Sequence, residues 1–394
     1  MDTSPATQQF IDANLHAEVA ALALRGAPQG VDLPFALRQI EGRQTAERKL
    51  PRWAAVEGIV YPVRLSMQQC SSQTTAEYKA TVVHELLGEG EAMADLTGGL
   101  GVDFSFLAPL FRRAIYVERD AELCRAARHN IPLLGLKHAE VMQMEVTDDT
   151  LPQIVAAAPF TLLYLDPARR DGAGRKMVRM TDCQPDLVAL HRRLLDASPW
   201  VMAKLSPMLD ISAVLHSLQG VAQVHVVGAE GECKELLVVL HRHHEGEATI
   251  VCGDLRFTRS DEMAATPSHS TEVGRRLYEP SAAMMKAAPF RLLSERYGVA
   301  MLHPESHLYT CDQCVAHWAG RTYEVCAVTD VKSFRRHCPD IHAAGITVRH
   351  YPDTPEGLRR RLKLREGADH QVVATTLADG RHVLIVCRRS GTPQ

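Results

Sequence analysis

At 394 residues the chain exceeds what one hydrophobic core usually supports, so two to four domains are expected. A hydrophobic fraction of 46% with a net charge of -3 excludes a disordered chain and a globally basic nucleic-acid binder. No apolar run approaches the roughly 20 residues that span a bilayer, and Met1-Asp2-Thr3-Ser4-Pro5 lacks a basic stretch followed by an apolar core, so a cytoplasmic protein with no membrane partner is expected.

The first 88 residues read as helical. Apolar positions recur at helical spacing from Thr7 to Leu24, Gly26-Ala27-Pro28 breaks the pattern, and Phe35 to Leu50 resumes it. The dense run Gln39 to Lys49 suits a solvated helix face, and Arg43 and Lys49 also suit RNA phosphate. After Pro51 and Pro62, Thr75 to Leu87 predicts a further helix. The preceding Gln69-Cys70-Ser71-Ser72 has two readings: an ordinary N-cap, or a segment folded over a ligand, with Gln69 and Ser72 as its contacts.

Next comes a series of apolar runs, each closed by a residue suited to ligand binding. Ala92 to Leu96 enters the turn Asp95-Leu96-Thr97-Gly98-Gly99-Leu100-Gly101, whose glycines permit positive φ and close approach to a ligand. Helical spacing from Val102 to Phe111 then predicts a strand-turn-helix unit. The strand Ala114 to Val117 ends at Glu118, about 20 residues beyond the turn, where a carboxylate can accept from both ribose hydroxyls. A dinucleotide site would use G-x-G-x-x-G and face a pyrophosphate, which Asp95 would repel. S-adenosylmethionine has no phosphate, so it is the expected cofactor. Thr97, Gly98, Gly99, Gly101, Asp103 and Arg119 complete its expected surroundings.

The strand Ala139 to Met144 precedes Glu145 and Thr147-Asp148-Asp149, of which Glu145 is assigned to the adenine amino group. The strand Phe160 to Leu165 delivers Asp166-Pro167-Ala168-Arg169-Arg170 to the carboxyl edge of the sheet, where ligands bind in open parallel sheets. Trp200 to Lys204, Val221 to Val227 and Glu235 to Leu240 supply the last strands. Beyond the polar Arg242 to Glu247, Arg256 to Gly274 reads as a linker or loop-rich connector.

From Arg321 onward there are 13 Lys and Arg against 8 Asp and Glu, a net +5 that makes this the basic part of the chain. Within it, Leu358-Arg359-Arg360-Arg361-Leu362-Lys363-Leu364-Arg365 predicts a basic amphipathic helix. Arg359, Arg360 and Lys363 can lie along a phosphate backbone or simply solubilise one face. The 10 cysteines show no disulfide framework. His307, Cys311, Cys314 and His317 cluster, but one C-x-x-C beside scattered histidines is not a clear four-ligand zinc set, and no obligate metal is expected.

The segment from Asp95 to Leu240 resembles the class I (Rossmann-like) methyltransferase superfamily. The whole chain is similar to a narrower group of bacterial methyltransferases with a THUMP-like C-terminal domain. The marks are Gln39-Ile40-Glu41-Gly42-Arg43-Gln44, Gln69-Cys70-Ser71-Ser72, Tyr278-Glu279-Pro280, His303-Pro304, Ser306-His307-Leu308-Tyr309 and Thr375-Thr376-Leu377-Ala378-Asp379-Gly380. The resemblance implies an α/β protein: an N-terminal helical region (1–88), a Rossmann-like methyltransferase sheet (89–245) with a reversed final hairpin, a connector with a small ferredoxin-like region (246–319), and a THUMP-like domain (320–394). It also implies an RNA partner, tRNA or rRNA, through the THUMP-like label.

Asp166 and Pro167 are the expected catalytic pair. Amino-group methyltransferases often use D/N-P-P followed by an aromatic that stacks on the base, whereas this chain continues with Ala168-Arg169, which counts against a conventional exocyclic amine site. Uracil C5-methyltransferases need a cysteine nucleophile near the end of the fifth strand, where this chain has Lys204-Leu205-Ser206-Pro207. A ring nitrogen, an amine held differently and a ribose hydroxyl stay open. Lys204 is electrophilic or structural, and Arg169 and Arg170 grip substrate phosphate or pair with neighbouring carboxylates. Two further readings are a small-molecule methyltransferase and a non-catalytic, S-adenosylmethionine-binding RNA-associated protein.

Overall fold

A computed structural model describes residues 4–62, 64–169 and 180–390. The chain divides into two compact units, one of Met1–Gln223 with Leu236–Gly246 and one of Val224–Glu235 with Glu247–Gln394.

The first unit is built on strands β1 (Gly90–Asp95), β2 (Phe111–Glu118), β3 (Ala139–Gln143) and β4 (Leu162–Leu165), then the short pair β5 (Ala168–Arg169) and β6 (Cys183–Gln184), and β7 (Trp200–Leu205). Beyond them come β8 (Val221–Ala229) and β9 (Glu232–His241). Within this unit the order is β9-β7-β4-β1-β2-β3, parallel except for β9, which runs antiparallel to β7 from Trp200 opposite His241 to Leu205 opposite Leu236. All four residues of β4 are buried, and so are all but Glu91 of β1, the near-continuous burial of parallel strands covered on both faces. The order reverses at β1, flanked by β2 on one side and β4 on the other. That places a topological switch point at the carboxyl ends of β1 and β4.

The N-terminal residues are helical, with one difference from expectation. The stretch Thr7 to Leu24 is two helices, Pro5–Ala13 and Val19–Arg25, because Asn14 ends the first by donating from Nδ2 to the Phe10 carbonyl at 2.7 Å. The helix Leu33–Lys49 presses Gly42 against Tyr61, where a Cβ would run into the tyrosine Cβ. Gln39 completes that junction with reciprocal bonds to the Tyr61 backbone at 2.9 and 2.8 Å. Leu50, Trp53, Tyr61, Met67 and Ala76 share one core with Leu100, Val102 and Phe106, which follow or belong to the glycine turn. Burying each large side chain here contributes about 1.5–3 kcal/mol, so the helical region and the turn are stabilised together.

The helix after the turn is shorter than its spacing predicts. It spans Val102–Leu107, followed by a 3₁₀ turn at Ala108–Leu110, since Pro109 cannot donate to a continuing helix and Phe111 begins β2.

In the second unit β10 (Thr249–Cys252) and β11 (Leu255–Phe257) form an antiparallel pair. The expected connector therefore contains ordered structure. A helix at Arg259–Ala264 adds to it, its N-terminus closed by a reciprocal capping box between Thr258 and Asp261. Then follow β12 (Arg276–Pro280), β13 (Ala300–Met301), β14 (Tyr309–Cys311), β15 (Gly320–Thr329), β16 (Gly345–Arg349), β17 (Gln371–Thr376) and β18 (His382–Arg389). They make one sheet in the order β13-β14-β12-β15-β18-β17-β16, with only β16 and β17 parallel. Alternation along β17 and β18 supplies two cores: Val372, Ala374, Leu384 and Val386 enter one with Phe334, Leu358 and Leu362, while Val373, Val383, Ile385 and Cys387 enter the other with Leu277, Leu302 and Tyr323.

The basic helix spans Pro355–Leu362 and stops before the expected Arg365. Lys363 takes a positive φ of 53°, Leu364 turns back into the core, and Arg335 donates to the Leu362 and Lys363 carbonyls at 2.6 and 2.8 Å. Among the described residues no helix is long and apolar enough to cross a membrane.

Candidate active site

The switch point opens into a cavity of about 330 Å³. Its floor is the glycine turn, whose shape follows from three features. Gly101 holds a φ of 86°, Tyr116 of β2 donates its hydroxyl to the Gly99 carbonyl at 2.5 Å, and a Cβ on Gly98 would clash with the Tyr116 ring at its Cε2. Only glycine fits at that last position without moving a fully buried ring.

Carboxylates surround the turn. Asp95 is 2% exposed and accepts from the Thr97 amide at 3.0 Å. Burial pushes its carboxyl well above the usual carboxylate range; the Thr97 bond opposes this, and the charges of Asp103, Asp166 and Glu118 add to it. Glu118 receives the Gly99 amide on Oε2 at 2.9 Å and the Asp120 amide on Oε1 at 2.8 Å, which fixes it at the tip of β2. Glu145, beyond β3, accepts from Arg119 at 3.3 Å and from Gln184 Nε2 at 2.5 Å. Asp166, beyond β4, is held through its amide by Thr97 Oγ1 at 2.5 Å and pairs through Oδ2 with Lys204 Nζ at 2.6 Å.

Of the residues assigned from sequence, Gln69, Asp95, Thr97, Gly98, Gly99 and Gly101 line this cavity, together with Asp103, Glu118, Arg119, Glu145 and Asp166. Pro167 and Lys204 do not line it, although Lys204 reaches it through Asp166. Ser72 does not line it either: its hydroxyl caps the helix Gln73–Leu87 by accepting from the Thr75 amide, and Ser71 and Cys70 take the wall position instead. Lys49 is turned inward, donating to the Met67 and Gln68 carbonyls at 3.1 and 2.9 Å, and Arg43 pairs with Glu47 at 3.6 Å. Neither is displayed as a phosphate contact would be. Arg169 lies in β5, and Arg170 falls outside the described residues.

In the second unit Arg359 donates to the Ala344 carbonyl at 3.1 Å, so part of its guanidinium is committed to the fold, whereas Arg360 and Lys363 are exposed. His307 stacks on Phe290 with ring centroids 3.6 Å apart, and Cys311 donates from Sγ to the Gln313 carbonyl at 3.0 Å. Among the described residues no group of three or more His, Cys, Asp or Glu is placed to hold a metal ion.

Comparison with known proteins bears on the same two units. Residues 277–318 match a ferredoxin-like domain family and residues 320–389 a THUMP domain-like family. S-adenosylmethionine-dependent methyltransferases of two strains of Mycobacterium tuberculosis, themselves uncharacterized, are 26% identical over 345 residues, covering 82% of this chain and 88% of theirs. A crystal structure assigned to a methyltransferase of Porphyromonas gingivalis W83 is 32% identical, with a TM-score of 0.84 and 98% of both chains covered. The chain belongs to the S-adenosylmethionine-dependent methyltransferases.

The cavity of this methyltransferase suits that donor on physical grounds. Six carboxyl side chains line it, Asp95, Asp103, Glu118, Asp120, Glu145 and Asp166, which suits a ligand with a sulfonium, an ammonium and one carboxylate and no phosphate. Asp103 Oδ1 is closed to solvent and, although it accepts no hydrogen bond, it faces the buried Lys79 ammonium. Sequence reasoning missed Ser71, Lys79 and Tyr164. Ser71 and Tyr164 each donate a hydroxyl to Asp103 Oδ2 at 2.8 Å, and Lys79 Nζ stands 3.3 Å from Oδ1. Tyr164 sits in the apolar run of β4 and reads as core. Lys79 sits in a polar helix and reads as solvated, yet it is fully buried.

Proposed function

We propose that this methyltransferase acts on RNA, tRNA or rRNA, and methylates a nitrogen or a ribose oxygen. The observation behind this reading is the THUMP-like match at residues 320–389, which falls on the basic part of the chain. There the helix Pro355–Leu362 buries Leu358 and Leu362 and exposes Arg360 and Arg361. An exposed cationic face of this kind favours a polyanion, through a sequence-independent term that salt weakens.

In this reading Glu118 takes the donor's ribose, Glu145 its adenine, and Asp95 with Asp103 its cationic amino-acid end. The donor, when bound, supplies a methyl group on a sulfonium, whose displacement is in-line. Asp166 is placed to accept a hydrogen bond from the acceptor's N–H or O–H and to hold its lone pair toward the methyl group. The ion pair with Lys204 fixes the position of the Asp166 side chain. A carboxylate so held can orient the acceptor, which suits a nitrogen that releases its proton to water after transfer. Lys204 at the end of β7 leaves the place of a C5-activating thiolate filled by an ammonium group. Burial pushes the Cys70 thiol, which lines the cavity, up toward its neutral form, with Lys49 opposing.

The test is mass spectrometry of nucleosides from purified tRNA and rRNA of cells with and without this gene, complemented by the wild type or by Asp166→Ala. Loss of one methylated nucleoside, restored only by the wild type, is expected. Unchanged nucleosides in both pools would instead point to a small-molecule acceptor.

A further inference from the structure

We propose that Lys79 is a positioning residue for the amino-acid end of the donor, acting through Ser71 and Asp103. The inference rests on the donor occupying the cavity described above and is independent of the acceptor.

Lys79 is wholly buried in the helix Gln73–Leu87, where an ammonium group is costly unless its surroundings compensate. Its Nζ donates to Ser71 Oγ at 3.1 Å and to the Thr75 carbonyl at 3.3 Å, and it stands 3.3 Å from Asp103 Oδ1. Ser71 passes the contact on by donating to Asp103 Oδ2, which also accepts from Tyr164. The two carboxylate oxygens are therefore unequal. Oδ2 is saturated by two hydroxyls, while Oδ1 has an ion-pair partner but no hydrogen bond.

Asp103 lines the cavity and Lys79 does not, so the lysine acts only through the groups it holds. Its position has two effects. It ties Ser71, in the wall segment before the helix, to Asp103 in the first turn after the glycines, which fixes two walls of the cavity against each other. It also keeps Asp103 ionised, so this wall of the cavity carries the negative charge that an ammonium group favours. The donor has one ammonium group, on its methionine end.

The experiment is calorimetric titration of the full chain with two ligands, S-adenosylhomocysteine and 5′-methylthioadenosine. The second keeps the adenosine and a thioether but lacks the amino and carboxyl groups. Lys79→Met and Ser71→Ala are expected to weaken S-adenosylhomocysteine about tenfold, the scale of one charge-assisted bond. Affinity for 5′-methylthioadenosine is expected to stay within about twofold, since Glu118 and Glu145 are untouched. Equal losses for both ligands would mean that Lys79 only supports the fold, and no loss for either would mean that the chain of contacts is idle; each overturns the proposal. If Lys79→Met fails to fold, an undiminished S-adenosylhomocysteine affinity in Ser71→Ala, which removes one hydroxyl, still overturns the proposal. A wild-type chain that binds neither ligand would refute the donor cavity itself.

Discussion

Glu118 anchors the glycine turn through the Gly99 amide, and in the proposed reading the same carboxylate also takes the donor's ribose. Glu118→Ala is expected to weaken S-adenosylmethionine binding about 10- to 100-fold in a calorimetric titration, the loss of one or two charge-assisted bonds. Undiminished affinity would remove the assigned pocket. Asp95 adds a pH dependence whose sign can be worked out. Its carboxyl in the folded protein ionises well above the usual carboxylate range, so between that range and the raised value the folded chain holds a proton that the unfolded chain has lost. Stability from this group therefore falls as pH rises through the window. A cationic ligand favours the ionised form, so donor affinity is expected to rise with pH there and binding to release a proton. Titrations in buffers of different ionisation heat read that proton directly, and Asp95→Asn should abolish it. Strand-end acids such as Asp95, Glu118 and Asp166 were legible in the sequence because each closes an apolar run. Ser71 and Lys79 were not, since a buried cation stabilised by tertiary partners leaves no periodic mark.

At the level of elements, the strand-turn-helix unit was legible in outline and less so in extent. The apolar runs located β1, β2, β3, β4 and β7 to within three residues at either end; for β1, β2, β4 and β7 this is because buried parallel strands read as continuous apolar runs, whereas β3 is a half-exposed edge strand. Helix ends were set by contacts that spacing cannot show, such as Asn14 folding back on Phe10 and Arg335 closing the helix Pro355–Leu362. The glycine turn is the element with least tolerance. Gly98→Ala would drive a methyl group into the Tyr116 ring, which is itself held by the Gly99 carbonyl and buried on all sides. A loss of about 1–3 kcal/mol is expected in urea unfolding, with weakened donor binding. A neutral result would mean that the ring can move.

Taken whole, the molecule keeps the cavity at the glycine turn in one unit and its basic helix in the other. If RNA is the substrate, tRNA binding measured by fluorescence anisotropy should weaken as salt rises. The paired change Arg360→Glu and Lys363→Glu should reduce the slope of log affinity against log salt by about 1 for each phosphate that is no longer neutralised. An unchanged slope would assign these side chains to solubility alone. The second unit also contains a buried histidine, His225, whose pKa burial lowers to about 4, with Arg256 adding to the effect. The unfolded chain binds a proton at ordinary histidine pH, so stability is expected to fall as pH drops from about 6.5 to 4, by up to about 3 kcal/mol. His225→Gln should flatten that limb in urea unfolding measured across pH.

The two units are interleaved along the chain, because Val224–Glu235 groups with the second while Leu236–Gly246 returns to the first. No single break in the gene can therefore release one unit intact. A cut after Gly246 strands Val224, His225, Val226 and Val227, all buried in the intact protein, and a cut before Val224 takes from the sheet the antiparallel strand that pairs with β7. Recombination at one crossover cannot exchange the second unit for another, so the cavity and the THUMP-like region are passed on as a single heritable piece.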